Sequence, residues 1–149
     1  MGRFYEDFEV GENILHQVSK TVTESDNNLF CLLTMNHHPV HIDGDYAKNA
    51  RHGKILVAGT YVFSLVVGFT VPDISGSAIA NIEYSQVVHL APVFIGDTLH
   101  ASTEILSKHR TRSKIGIVCV RTKAWNQDKK NVLVFERKIM VKSWIKAVC

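Results

Sequence analysis

The chain has 149 residues, 46% hydrophobic and 21% charged, which fits one domain, spanning 1–149, able to bury about 70% of its unfolded surface and excludes a disordered or collagen-like chain. Its net charge of +3 is too small to mark a nucleic-acid-binding protein without a clustered basic face. The basic alternation Lys108, Arg110, Arg112, Lys114 reads equally as a solvated strand edge or an anion-binding stripe.

In chain order, Phe4 to Val22 reads as extended around a turn at Gly11. Gly2 to Val10 carries three acidic residues and no apolar run, so it does not read as a secretory signal. Thr23 is a suitable N-cap, and Asp26 puts negative charge on the first turn of a helix with an apolar face of Leu29, Phe30, Leu32 and Leu33. That helix must end before Pro39, because the residue preceding a proline is pushed out of the helical region. His38 to His41 is then an irregular segment, followed by a short helix from Asp43 or Gly44 to about Asn49.

The apolar stretch Ile55–Phe69 spans 15 residues. A membrane span needs about 20, so it reads as a core helix, apolar nearly all round and enclosed on most sides. Beyond Pro72 and Gly76 the pattern changes to alternation: Ala78, Ala80, Ile82, Tyr84, and then Leu99, Ala101, Thr103, Ile105. Lys114 to Trp125 and Val132 to Trp144 read as two further strands joined by the polar turn Asn126 to Asn131. One buried helix and several long antiparallel strands make an α+β architecture, a curved sheet wrapped round a central helix.

The three cysteines, Cys31, Cys119 and Cys149, are too far apart for a Cys-x-x-Cys metal site and odd in number. Cys31 and Cys119 read as small packed hydrophobes, and the compartment as reducing and cytoplasmic. Four histidines, His37, His38, His41 and His52, fall near Pro39. His38, His41 and Asp43 could be put forward as zinc ligands, but the spacing is not that of a metal motif. Acid–base catalysis is the other chemical reading, since a histidine titrates near neutrality. Asn36 and His41 flank the helix end and the proline turn, which lets both point into one cleft with the Gly59 amide at its far wall. Asn36 could equally be a helix stop. Gly59, near the start of the buried helix, either lets a carbonyl approach unpaired N–H groups or permits close packing.

From Tyr5 to Trp144 the chain resembles the MaoC-like dehydratases, a hot-dog family that includes (R)-specific enoyl-CoA hydratases. The likeness rests on Tyr5-Glu6-Asp7-Phe8-Glu9-Val10-Gly11, Thr21-Val22-Thr23-Glu24-Ser25-Asp26, Thr34-Met35-Asn36-His37-His38-Pro39-Val40-His41, Leu56-Val57-Ala58-Gly59-Thr60 and Pro92-Val93-Phe94-Ile95-Gly96-Asp97-Thr98-Leu99. Three positions depart from the family pattern: Asn36 stands for its aspartate, His38 for its asparagine and Ala58 for its helix-start histidine. The form Thr-Met-Asn-x-His-Pro-Val-His, with Arg110-Thr111-Arg112-Ser113 and Gly116-Ile117-Val118, is similar to the branch containing mesaconyl-CoA hydratase-like proteins.

The resemblance implies a single hot-dog fold, a homodimer or higher homo-oligomer, and an acyl-CoA thioester substrate bound between protomers. It implies neither a nucleic-acid nor a membrane partner, and no metal or other cofactor beyond the coenzyme A of the substrate. The reaction implied is reversible addition of water across the double bond of a 2-enoyl-CoA. His41 is the expected general base and acid, Asn36 holds the water, the Gly59 N–H binds the thioester oxygen, and His38 lies at the substrate. A non-catalytic acyl-CoA-binding or regulatory hot-dog protein, favoured by the missing aspartate, and a hot-dog thioesterase are the alternatives.

Overall fold

The computed structural model describes residues 2–113 and 115–144; Lys114 and Cys149 lie outside them. After a 3-10 turn at Tyr5–Asp7 come β1 (Asn13–Leu15), β2 (Lys20–Thr21), α1 (Glu24–Leu33), α2 (Pro39–Ile42), α3 (Gly44–Asn49) and α4 (Gly59–Phe69). A π-turn at Val71–Ser75 leads into β3 (Ala78–His89), β4 (Thr98–Arg110), β5 (Gly116–Trp125) and β6 (Asn131–Val141). The sheet is antiparallel in the order β1-β4-β5-β6-β3, with β2 also on β4. The α+β architecture is as expected.

The inward side chains of β4 and β6 alternate along each strand, Leu99, Ala101, Thr103 and Ile105 on one, Leu133, Phe135, Arg137, Ile139 and Val141 on the other. Against the lower part of this face lies α4, burying Tyr61, Val62, Val66 and Phe69. Phe63 packs edge-on against Phe135 at 5.1 Å and Tyr84 at 5.2 Å. The sheet outruns the helix. Phe8, Ile14 and Ile74 cover the remainder, packing with Ile105, Val118, Val120, Ile139 and Val141.

The helix expected over Ile55–Phe69 starts four residues later, at Gly59. Leu56 and Val57 are extended instead: Leu56 bridges Phe94 and donates its N–H to the Val40 carbonyl, and the Val57 N–H bonds the Val93 carbonyl. Backbone partners on both flanks outweigh the helical preference of the run. Nor is α4 apolar all round, for Thr60, Ser64 and Gly68 form an exposed stripe.

The expected capping of α1 is present. The Thr23 hydroxyl accepts the Asp26 N–H and the Asp26 carboxylate accepts the Thr23 N–H, both at 3.2 Å. Of its expected apolar face only Phe30 turns inward, packing against Tyr61 at 5.4 Å. Leu29, Leu32 and Leu33 are exposed, while Asn27 and Cys31 are buried. The helix ends in a Schellman motif. Met35, at φ 58°, takes the left-handed position, and the Asn36 N–H reaches back to the Cys31 carbonyl. The stop is thus Met35 and not Asn36. The segment after it is one turn of helix, α2, with His38 as its N-cap, where irregular chain was expected.

On β3 the alternation does not separate an inner from an outer face. Ile79, Ile82, Tyr84, Val87 and Val88 are all exposed on this edge strand.

Of the basic alternation, Lys108 and Arg110 lie on β4 and form an internal clasp, while Arg112 is exposed beyond the strand's end. The Lys108 ammonium donates to the Tyr5 and Phe8 carbonyls, and Lys108 and Arg110 both lie over the Tyr5 ring, at 4.9 and 4.4 Å. The same ring lies on Gly116, leaving no room for a Cβ there. Glu6 completes the clasp, accepting from Arg110 at 2.5 Å, the Ser143 hydroxyl at 2.6 Å and the Trp144 N–H at 3.1 Å. Burial opposes ionisation of Glu6, but these hydrogen bonds prevail and hold its carboxyl at about 2, against an ordinary 4.5.

A depressed folded-state pKa gives stability that is complete above the unfolded value and lost as pH falls through the folded one. Urea midpoints of the wild type should therefore fall between pH 4.5 and pH 2 by more than those of Glu6→Gln, which should already be the less stable protein at pH 7. Parallel profiles for the two would show that the clasp adds no acid-sensitive stability.

Candidate active site

The segment that follows α1 and the segment that leads into α4 lie side by side. Pro39 starts α2 at the position where a missing N–H costs nothing, and the His38 ring caps it, its Nδ1 accepting the Val40 N–H at 3.2 Å. One turn later the half-buried His41 ring meets the Leu56 carbonyl, with Nδ1 at 2.6 Å from the oxygen. A carbonyl can only accept, so Nδ1 carries the proton. The neutral ring therefore keeps its lone pair on Nε2. The rings of His38 and His41 are 6.0 Å apart and meet at 61°.

A buried amide ties these pieces to α1. Asn27, fully buried, donates from Nδ2 to the His41 carbonyl at 2.8 Å and accepts the Ala58 N–H on Oδ1 at 3.0 Å. Nothing in the spacing around His41 pointed to Asn27. The available signal was a polar residue one turn before Cys31, on the side of α1 away from the leucines.

Gly59 opens α4, with Ala58 as an N-cap that lacks a side-chain bond. The first-turn N–H groups have no acceptor within the helix and carry partial positive charge. A cavity of about 350 Å³ lies here, lined by Gly59, Val62, Leu56, Val57, Arg51, His52 and the stretch His89 to Val93. The His89 ring covers the α-carbon of Gly59, so that a Cβ there would lie 3.1 Å from its Cε1 and Nε2. His89, at the end of β3, is a second residue that the sequence did not single out.

The structure thus joins His38, His41 and the Gly59 helix start through Leu56, Ala58 and Asn27. It does not seat them around one cavity. His41, His38 and Asn36 are not among the residues lining the cavity beside Gly59. Leu56 and Val57 separate the two, bonded to Val40 on one flank and to Val93 on the other. Asn36 is half-buried, and its side chain makes no hydrogen bond to another described residue. The side chains weighed as zinc ligands have other tasks: His38 caps α2, His41 holds Leu56, and Asp43 accepts the Asp45 and Tyr46 N–H groups to cap α3. His37 is exposed, and His52 packs edge-on against Phe94 at 5.5 Å.

An antiparallel sheet curled round one helix is the hot-dog fold. The structure matches a Mycobacterium tuberculosis protein with a double hot-dog fold at a TM-score of 0.88 and 18% identity, over 99% of this chain and 46% of that one. It matches a MaoC domain protein from Chloroflexus aurantiacus at a TM-score of 0.91 and 33% identity, over 96% of this chain and 41% of that one.

Residues 7–131 match the MaoC like domain. The chain is 37% identical over 142 residues to a mesaconyl-CoA hydratase of Cereibacter sphaeroides, covering 95% of this chain and 41% of that protein. It is 33% identical over 108 residues to an (R)-specific enoyl-CoA hydratase of Rhodospirillum rubrum, covering 68% and 69%. The chain belongs to the MaoC-like dehydratase family. It spans about two fifths of the length of the mesaconyl-CoA hydratase it matches.

Gly59→Ala should displace the exposed His89 ring by a few tenths of an ångström and leave the fold intact, with a stability change within about 1 kcal/mol. Histidine ring resonances check this: those of His89 should shift and those of His41 should not. An unmoved His89 would show that the ring does not rest on Gly59.

Proposed function

We propose that this protein is a hydratase/dehydratase acting on 2-enoyl-CoA thioesters. The observation that carries this reading is the bond from His41 Nδ1–H to the Leu56 carbonyl, which leaves Nε2 free to take a proton. As the water oxygen bonds to C3 of the enoyl group, Nε2 removes its proton and the π electrons move onto the thioester oxygen. The Gly59 N–H stabilises that enolate oxygen. The imidazolium then delivers its proton to C2, the carbonyl re-forms, and the net change is addition of water. The Asn36 amide orients the water; an amide is no base. His38, beside His41, contacts the substrate. Membership of a dehydratase family and the names of the relatives support the chemistry. The cationic side chains Arg51, on the cavity, and Lys54, over Phe94 at 4.1 Å, suit the phosphates of coenzyme A.

The assembly belongs to the same proposal. The β3 edge presents apolar side chains on both faces and backbone groups that pair with no other described strand, a surface that another strand covers well. A second copy of this chain, pairing along β3, makes a homodimer. It would also close the site between His41 and the Gly59 cavity, which one chain leaves apart.

Replacement of the family's aspartate by Asn36 favours a second reading, an acyl-CoA binder on the same scaffold. A panel of enoyl-CoA thioesters, followed by loss of the conjugated double bond, separates the two. The wild type should hydrate at least one, His41→Ala should be about 100-fold slower or worse, and saturated acyl-CoA should still bind to that variant. Asn36→Asp should keep or raise turnover. Binding without hydration in the wild type, with activity gained in Asn36→Asp, would establish the binder. Equal turnover in wild type and His41→Ala would reject the mechanism.

A further inference from the structure

Three hydrogen bonds close a circuit around the proposed base. Asn27 Nδ2 donates to the His41 carbonyl at 2.8 Å, the His41 ring donates from Nδ1 to the Leu56 carbonyl at 2.6 Å, and the Ala58 N–H donates to Asn27 Oδ1 at 3.0 Å. Covalent chain completes the loop from Leu56 through Val57 to Ala58. One side chain, fully buried on α1, therefore fixes where the backbone of His41 stands relative to the residue that precedes Gly59. An amide suits this task because it donates from one end and accepts at the other, and both partners are backbone groups of fixed polarity. The two partners' polarities fix the amide's orientation, since turning it over would lose both bonds, and the Cys31 thiol, one turn along α1, lies with its sulfur 3.9 Å from Oδ1.

We propose that Asn27 is a positioning residue of the site: it holds the carbonyl of His41 and the N–H of Ala58 in register, so that the His41 ring stays on Leu56 with Nε2 free and the Gly59 amide stays at a set distance from it. The role rests on the hydratase reading for its consequence in turnover, but the geometry it describes does not. Asn27 touches neither water nor thioester. Its effect passes through His41 and the start of α4, and a misplacement of about 1 Å at such a pair costs on the order of 100-fold in rate.

Asn27→Asp keeps the shape and the acceptor for Ala58 but faces the His41 carbonyl with a second acceptor. Asn27→Ala removes both bonds. In the wild type, ¹⁵N correlations of the His41 ring should show the Nδ1–H tautomer. In Asn27→Asp they should shift towards a mixture of tautomers while the folded spectrum persists. Turnover should fall about 10-fold in Asn27→Asp and about 100-fold in Asn27→Ala, with KM changed by less than about 3-fold. Should Asn27→Ala fail to fold, Asn27→Asp alone carries the test. An unchanged His41 tautomer in the folded variant, or a loss confined to the denaturation midpoint with kcat per folded molecule intact, overturns the proposal. A wild type that hydrates no enoyl thioester, with the His41 tautomer still shifting in Asn27→Asp, removes the hydratase reading and leaves the positioning role standing.

Discussion

An eleven-residue helix whose polar side chains are one threonine, one serine and a tyrosine hydroxyl has to be enclosed, and α4 imposes that demand on the rest of the chain. The sheet answers it by placing small and apolar residues of β4, β5 and β6, such as Ala101, Ala124 and Phe135, against the helix. Because the sheet outruns the helix, the N-terminal segment must come back to cover the rest, and the Glu6–Arg110–Tyr5 clasp keeps it there. The same enclosure leaves the N-terminal end of α4 at the margin of the core, where the Gly59 cavity opens. The proposed chemistry sits where the burial of the helix ends.

Polar groups that the enclosure captures are matched in networks. His16, beneath the sheet, lies 2.7 Å from Asp73 and 2.7 Å from the Thr103 hydroxyl, which in turn lies 2.8 Å from Thr122. Arg137 is buried without a carboxylate partner among its described contacts, and donates instead to Thr70 and Asn81 with Tyr84 beneath its guanidinium. Burial alone works against its charge. Among the described residues no buried side-chain nitrogen or oxygen lacks a partner. Buried polar groups satisfied in this way fix the pairing of segments more narrowly than apolar contact does, and Asn27 is the instance that falls next to the proposed base.

The edge strand and the site are connected problems. His89 ends β3 and rests on Gly59, so whatever pairs with β3 also bears on the mouth of the cavity. The mesaconyl-CoA hydratase that this chain resembles is more than twice as long as the matched region, and the Mycobacterium tuberculosis protein that shares the fold carries two such units. The second copy proposed for the β3 edge would bring another such unit to it.

What the sequence determined by itself was whatever depends on neighbours a few positions away. The capping box at Thr23 and Asp26, the short helix after Asp43, the inward alternation from Leu99 to Ile105 and the turn at Asn126 could all be read, because each is a local pattern of hydrogen bonding or periodicity. The histidine beside Pro39 and the glycine before the apolar helix could be read as candidates for the same reason. Tertiary structure alone decided that the helix starts at Gly59 and not Ile55, since Leu56 and Val57 find backbone partners at positions 40 and 93. It also turned the leucines of α1 outward, made Lys108 and Arg110 an internal clasp, set Asn27 between His41 and Ala58, and put the proton of His41 on Nδ1. Each of these is fixed by a partner 14 or more positions away, and a hydrogen bond between such residues exists only once the chain has closed the loop that brings them together.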